Sequence, residues 1–421
     1  MHGYITRSVG LLAVPLLLVS VVAGMSPVTA AAARTGSRGP AASTFSGHLS
    51  GVAATSATDA WAVGSTGSSS SPKALIVHWN GTAWARVLSP ALVGDTELHG
   101  VAATSASSAW AVGCTGCFTS SPKTLILRWN GKVWAQVPSP SPGASSMSSV
   151  AATSASSAWA VGTNGTMTLI LRWNGKVWAQ VPSPSPGASS LSSVAATSAS
   201  SALAVGTNGT MTLILQWNGT VWKRVSSPSP GASRGLFSVA ATSASNAWAV
   251  GDVVNSGSSA TGLILHWNGK AWGHVPSPMP PAGQFGNGLA GVAATSAANA
   301  WAVGCTDGCP VGGTPVIERW NGTAWKQVAP PTTPFSLYNL TAVAAISSTN
   351  AWAVGGGGPV TAEGTAAAHW NGRSWTLSPG ISGAELTGVT ATSATNAWAV
   401  GGTANGHTLI LHWNGTTWKV S

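Results

Sequence analysis

Acidic residues are scarce. The 421 residues include eight Asp and Glu, and charged residues of both signs make up 6% of the chain, against about 25% in an average globular protein. Glycoside hydrolysis takes two carboxyls flanking one bond, and only Asp95 and Glu97 lie close together here; they read as a solvated loop face. The Asp-box of sialidases (Ser-x-Asp-x-Gly-x-Thr-Trp) is missing, as are a P-loop and an Asp-rich calcium loop. Tyrosine is nearly absent, with Tyr338 alone beyond the N-terminal stretch, which leaves little for a copper-radical site. Four cysteines cannot hold together a chain of this length. No helical periodicity follows the first 33 residues. No apolar run reaches the ~20 residues of a membrane-spanning helix.

The chain begins with Arg7, an apolar stretch from about Val9 to Gly24 broken by Pro15, and the small residues Ala30–Ala33. That layout predicts a secretory signal peptide over residues 1–33, cleaved near Ala30 to Ala33. Residues 34–47 are rich in Gly, Ser, Ala and Pro and read as a flexible leader. The expected product is exported and extracellular, without stable membrane insertion. The formal net charge of +10 is a mild bias toward anionic partners, not a nucleic-acid footprint.

Tryptophan is abundant, and it is periodic. The segment "VAATSxxxAWAVG" begins at Val52, Val101, Val150, Val194, Val239, Val292, Val343 and Val389, 44 to 53 residues apart. Each copy continues to "WNGxxW". Three Trp positions in eight copies account for all 23 tryptophans, because Leu203 replaces one in the fourth copy. Periods of this size belong to solenoids, propellers and arrays.

Each copy reads as four strands. In the first, strand A is Gly51–Ser56, strand B Ala60–Gly64, strand C Ala74–Trp79 and strand D Thr82–Val87. Asn80-Gly81 reads as a two-residue type I′ turn, pairing Trp79 with Thr82 and Val77 with Trp84. Both faces of such a sheet are apolar and need covering, which radial stacking provides. The expectation is all-β: an eight-bladed β-propeller of four-stranded antiparallel blades over residues 48–421. Blades start near 51, 100, 149, 193, 238, 291, 342 and 388, with no strand exchanged at closure and a monomeric wheel. The pattern resembles tectonin-type propellers, and more nearly the "AWAVG…HWNGxxW" repeat proteins that actinobacteria export. The resemblance implies the blade and is nearly silent on function. It departs from tectonins in the Asn-Gly hairpin and in the eight copies.

In a propeller the A–B and C–D turns share one side, and these are nearly uniform here. The B–C and D–A connections share the other side and vary in length and content, so that face is the expected binding surface. Cysteines occur there as Cys114/Cys117 and Cys305/Cys309, in blades two and six. Opposed blades cannot bring four sulfurs to one zinc, so two local disulfides are expected, with a redox-active pair as the alternative. The residue before each "WNG" (His78, Arg128, Arg172, Gln216, His266, Arg319, His369, His412) reads as a donor bonded to the neighbouring blade, too far out to converge on a metal. The outer tryptophans Trp84, Trp134, Trp178, Trp222, Trp272, Trp325, Trp375 and Trp418 are candidate sugar platforms if partly exposed. No catalytic residue, metal or cofactor is expected. The leading expectation is a secreted, non-catalytic binder of glycans or an anionic cell-wall polymer, with no specific nucleic-acid partner. The alternatives are a glycan-active hydrolase or lyase acting at the channel mouth, and a scaffold without a small ligand.

Overall fold

The computed structural model describes residues 45–421 apart from 69, 210, 229–231, 255–259, 280–286, 307–312, 332–338, 357–363 and 379. The expected signal segment and residues 34–44 of the expected leader lie outside the described residues. Among the described residues no helix is long and apolar enough to cross a membrane.

Among the described residues, thirty-two strands form eight antiparallel sheets of four, each in chain order. The protein is an eight-bladed β-propeller. Blade one comprises strands A (His48–Ser56), B (Asp59–Ser68), C (Ser71–Trp79) and D (Trp84–Arg86), and the other blades repeat it. Strand B is buried throughout its "AWAV" stretch, with Ala60, Trp61, Ala62 and Val63 all 0% exposed, because a blade covers each of its faces. The glycine that ends "AWAVG" is set by a close backbone approach. A Cβ on Gly64 would fall on the His48 carbonyl oxygen, beside the bulge between Leu49 and Gly51 in strand A.

The C–D hairpin differs from the expected two-residue turn. Trp79 pairs directly with Trp84, across a four-residue loop. The Asn80 side chain explains the longer loop: its Oδ1 accepts from the Thr82 and Ala83 amides, both at 3.0 Å. Gly81 takes a positive φ, +96°. All eight hairpins carry this asparagine cap, with the same bond to the amide three residues on.

Blades join through tryptophan. The strand B Trp61 of blade one lies 4.8 Å from Trp129 and 5.0 Å, edge-on, from Trp134 of blade two. Trp398 of blade eight meets Trp79 and Trp84 of blade one in the same way, at 4.7 and 5.1 Å. The same indole contacts thus close the ring, and no strand is exchanged, as expected. Each core cluster is shared by two neighbouring blades.

The leader boundary needs correction. Phe45–Gly47 belong to the fold, not to a flexible leader. Gly47 N donates to Gly406 O at 2.7 Å, Thr408 N to Phe45 O at 2.7 Å, and Phe45 N to Thr408 Oγ1 at 3.1 Å. Ser145 N on Pro122 O and Ser189 N on Thr166 O, both 2.8 Å, make the same blade-to-blade bond where the chain is continuous.

Candidate functional site

The residue before each "WNG" turns out to be a filling between rings. The Arg128 guanidinium sits 5.2 Å from Trp110 of its own blade and 5.0 Å from Trp173 of the next. Arg172 and Arg319 repeat this between Trp159 and Trp217, and between Trp301 and Trp370. Imidazoles do the same: His78 stacks on Trp61 at 4.0 Å and His412 on Trp398 at 3.9 Å. Arg172 and Arg319 also donate to the next blade's Ala199 and Ser348 carbonyls, as expected. The histidines instead bond within their own blade, to Asp59, Asn246, Asn350 and Asn396. Blade four alone has Leu203 in place of the strand B indole, and there the residue is Gln216. Where its own blade offers no π face, the cation or imidazole is absent too.

Burial sets the protonation of these groups. It pushes His369 down to about 4 and lowers His266 and His412. Asp59 is raised by burial, but hydrogen bonds from His78 and Thr55 outweigh this and hold its carboxyl below the usual range. These imidazoles lie against indoles, one to a blade, toward the periphery of the wheel.

The outer tryptophans expected as platforms are not exposed. Trp84 is 3% exposed, and Trp418, the most open of the eight, 7%. The strand B indole of the preceding blade stands edge-on against six of them, while Trp272 packs in one cluster with Leu203 and Trp418 in one with Trp352. They hold the wheel together and present no sugar-binding face.

The cysteine expectation holds in part. Cys114 and Cys117 form a disulfide. Cys309 lies outside the described residues. The Cys114 sulfur is close to Glu97 and His99, but a disulfide sulfur is not a thiolate ligand.

The central channel encloses about 520 Å³ and is lined by alanines such as Ala53, Ala102, Ala151 and Ala344, with Val292, Val389 and Thr390. None of its lining residues titrates. Besides His78 and Asp59, two histidine–carboxylate pairs lie where strand A begins, on the side of the variable loops. His48 faces Glu385 of blade eight at 3.4 Å, and His99 faces Glu97 at 3.6 Å. His99 Nδ1 bonds the Met147 carbonyl of blade three at 2.9 Å, so these groups tie inner strands together.

The variable side has one feature that sequence reasoning missed. The disulfide loop of blade two is pinned to the blade one–two connection: Gly116 N donates to Asp95 O at 2.8 Å and Phe118 N to Asp95 Oδ2 at 3.1 Å. Phe118 is held outward, 61% exposed, and the same connection carries Leu88 and Val93 at 85% and 90%. A lone Phe directly after "CTGC" was the available signal. A second omission is Glu318, fully buried in strand C of blade six where every other copy has Val, Leu or Ala. Ser277 Oγ donates to its Oε1 at 2.6 Å, while Oε2 has no hydrogen-bond partner among the described residues. Burial pushes this carboxyl up to about 7, against the opposing pull of the Ser277 bond.

No protein-family model and no curated protein matches the chain. Solved structures do. Sqt1 from Chaetomium thermophilum superposes with a TM-score of 0.56 at 12% identity, covering 87% of this chain and 96% of that one. The GH74 xyloglucanase from Xanthomonas campestris gives 0.53 at 15% identity, covering 90% and 69%. YCF48 from Cyanidioschyzon merolae gives 0.48 at 18%, covering 77% and 97%. At such identities, what Sqt1 and the xyloglucanase share with the chain is the β-propeller fold.

Proposed function

We propose that the chain is an exported, non-catalytic binding scaffold. Its recognition face is built from the B–C and D–A loops, and its ligand class is a glycan or cell-envelope polymer. Rigid blades with uniform turns on one side carry loops of differing length and content on the other, an arrangement that localises recognition while the framework stays fixed. The observation that carries this reading is the stapled loop of blade two. A disulfide and two bonds to Asp95 hold Phe118 in solvent, as a pre-ordered aromatic anchor would be held. Propellers include enzymes as well as binding proteins, so the fold does not choose between them. Among the described residues the alanine-lined channel presents no carboxylate, histidine or lysine to a hydrolase or lyase.

A glycan and envelope-polymer array probed with the full chain in high salt, which suppresses purely electrostatic binding, tests the reading. Binding is expected, and Leu88→Ser, Val93→Ser and Phe118→Ser together should abolish it without changing the melting transition. A silent array, or retained binding by the triple variant, would refute the assignment to this face. Breakdown of a polymer by the purified chain would favour the enzyme instead.

A further inference from the structure

We propose that the outer edge of the wheel binds a flexible, base-free polyanion, a polyol-phosphate or acidic polysaccharide chain, through the cations of its eight C–D hairpins. The proposal rests on the reading of the chain as a binding wheel but uses a different surface from the variable loops.

The charge distribution carries it. Twelve of the 18 Lys and Arg lie on the C–D hairpins, and no hairpin contains Asp or Glu between the residue before "WNG" and the end of strand D. Lys132, Lys176, Lys270 and Arg373 stand exposed on the turns of blades two, three, five and seven. Arg86, Lys223, Lys326 and Lys419 stand exposed on strand D of the remaining blades. Every blade therefore contributes at least one solvent-facing cation at the periphery. None of the eight is in an ion pair among the described residues, where the three pairs all involve histidines. The neighbouring A–B turns hold one carboxylate, Asp59, already bonded to His78.

A closed band of cations without counter-charges attracts any polyanion, so geometry and chemistry must select the class. The cations are spread around a circumference. A stiff duplex can touch one sector of it, whereas a flexible chain can follow the curve and gain a contact at each blade. Single-stranded nucleic acid draws much of its affinity from stacking on aromatic faces, and the hairpin indoles here are buried apart from the half-buried Trp129 and Trp320. Neutral sugars gain nothing from the charges. What fits is a flexible polymer with regularly spaced phosphodiesters or carboxylates and no bases.

The test measures binding of the full chain to glycerol-phosphate polymers of stepped length, to polygalacturonate, to dextran and to oligo-dT over a salt series. The expected result is binding of one or both anionic sugar-type polymers, tightening with length and falling log-linearly with salt. The first two arms separate phosphodiester from carboxylate recognition. Lys132→Gln, Lys176→Gln, Lys270→Gln and Arg373→Gln combined should weaken binding by about tenfold or more. The Leu88/Val93/Phe118 serine variant should leave this binding unchanged, so the two surfaces fail or succeed separately. Salt-independent binding, wild-type affinity in the quadruple variant, or tighter binding of dextran or oligo-dT would overturn the proposal.

Discussion

At the scale of single residues, the blades are joined by a cation or imidazole between two indoles. Each such stack contributes about 0.5–2 kcal/mol, depending on how dry it is. Blade four lacks one, because Leu203 and Gln216 stand where the other copies have an indole and, in each case, Arg or His. Leu203→Trp with Gln216→Arg should therefore raise stability by about 1–2 kcal/mol. In a double-mutant cycle the pair should exceed the sum of the single changes, and strict additivity would refute the stacked arrangement.

Two buried groups give stability opposite pH slopes. Glu318 titrates at about 7 in the fold against 4.5 as its ordinary value. Its contribution is complete below 4.5 and is lost as pH rises through 7, roughly 3 kcal/mol in all. His369 titrates at about 4 in place of 6.5. Its contribution is complete above 6.5 and is lost as pH falls toward 4. In denaturant titrations across pH, Glu318→Leu should remove the decline toward neutral pH, and His369→Gln should soften the decline in acid. Unchanged profiles would show that neither group is held as described.

At the scale of elements, the hairpin is governed by an asparagine side chain. Replacing Asn174 by Ala leaves the Lys176 and Val177 amides without their 3.0 Å acceptor. A cost of about 1 kcal/mol is expected in chemical denaturation. Strand identity and the number of blades were legible in the sequence because each copy repeats the same alternation and the same punctuation. The hairpin register was not, since "NG" signals a tight turn and says nothing of the carboxamide closing a longer one. Exposure of the outer tryptophans was misjudged for a related reason. Trp134 is covered by Trp61, a residue of another copy, and no pattern within one copy shows that contact. The order of Phe45–Gly47 left no signal either, because their partners Gly406 and Thr408 lie at the far end of the chain.

At the scale of the whole molecule, the wheel has one joint that the backbone does not cross, between blades eight and one. It is held by Trp398 on Trp79 and Trp84, by Thr387 Oγ1 on the Leu49 carbonyl at 2.7 Å, and by Phe45–Gly47. A chain beginning at His48 should open here first. Hydrogen exchange would then rise at His48–Ser56 and Asn396–Trp413 while blades three to five stay protected. Uniform loss of protection would show that the joint is no weaker than the rest.

Outside blade four, the indole of each strand B is covered on one face by the blade that follows it. A growing or truncated polypeptide therefore always carries one uncovered greasy row at its leading side and another at its start. Neither is hidden until the final unit arrives and the two meet. Unfinished copies should be sticky and short-lived, and a premature stop codon late in the message should be as damaging as an early one.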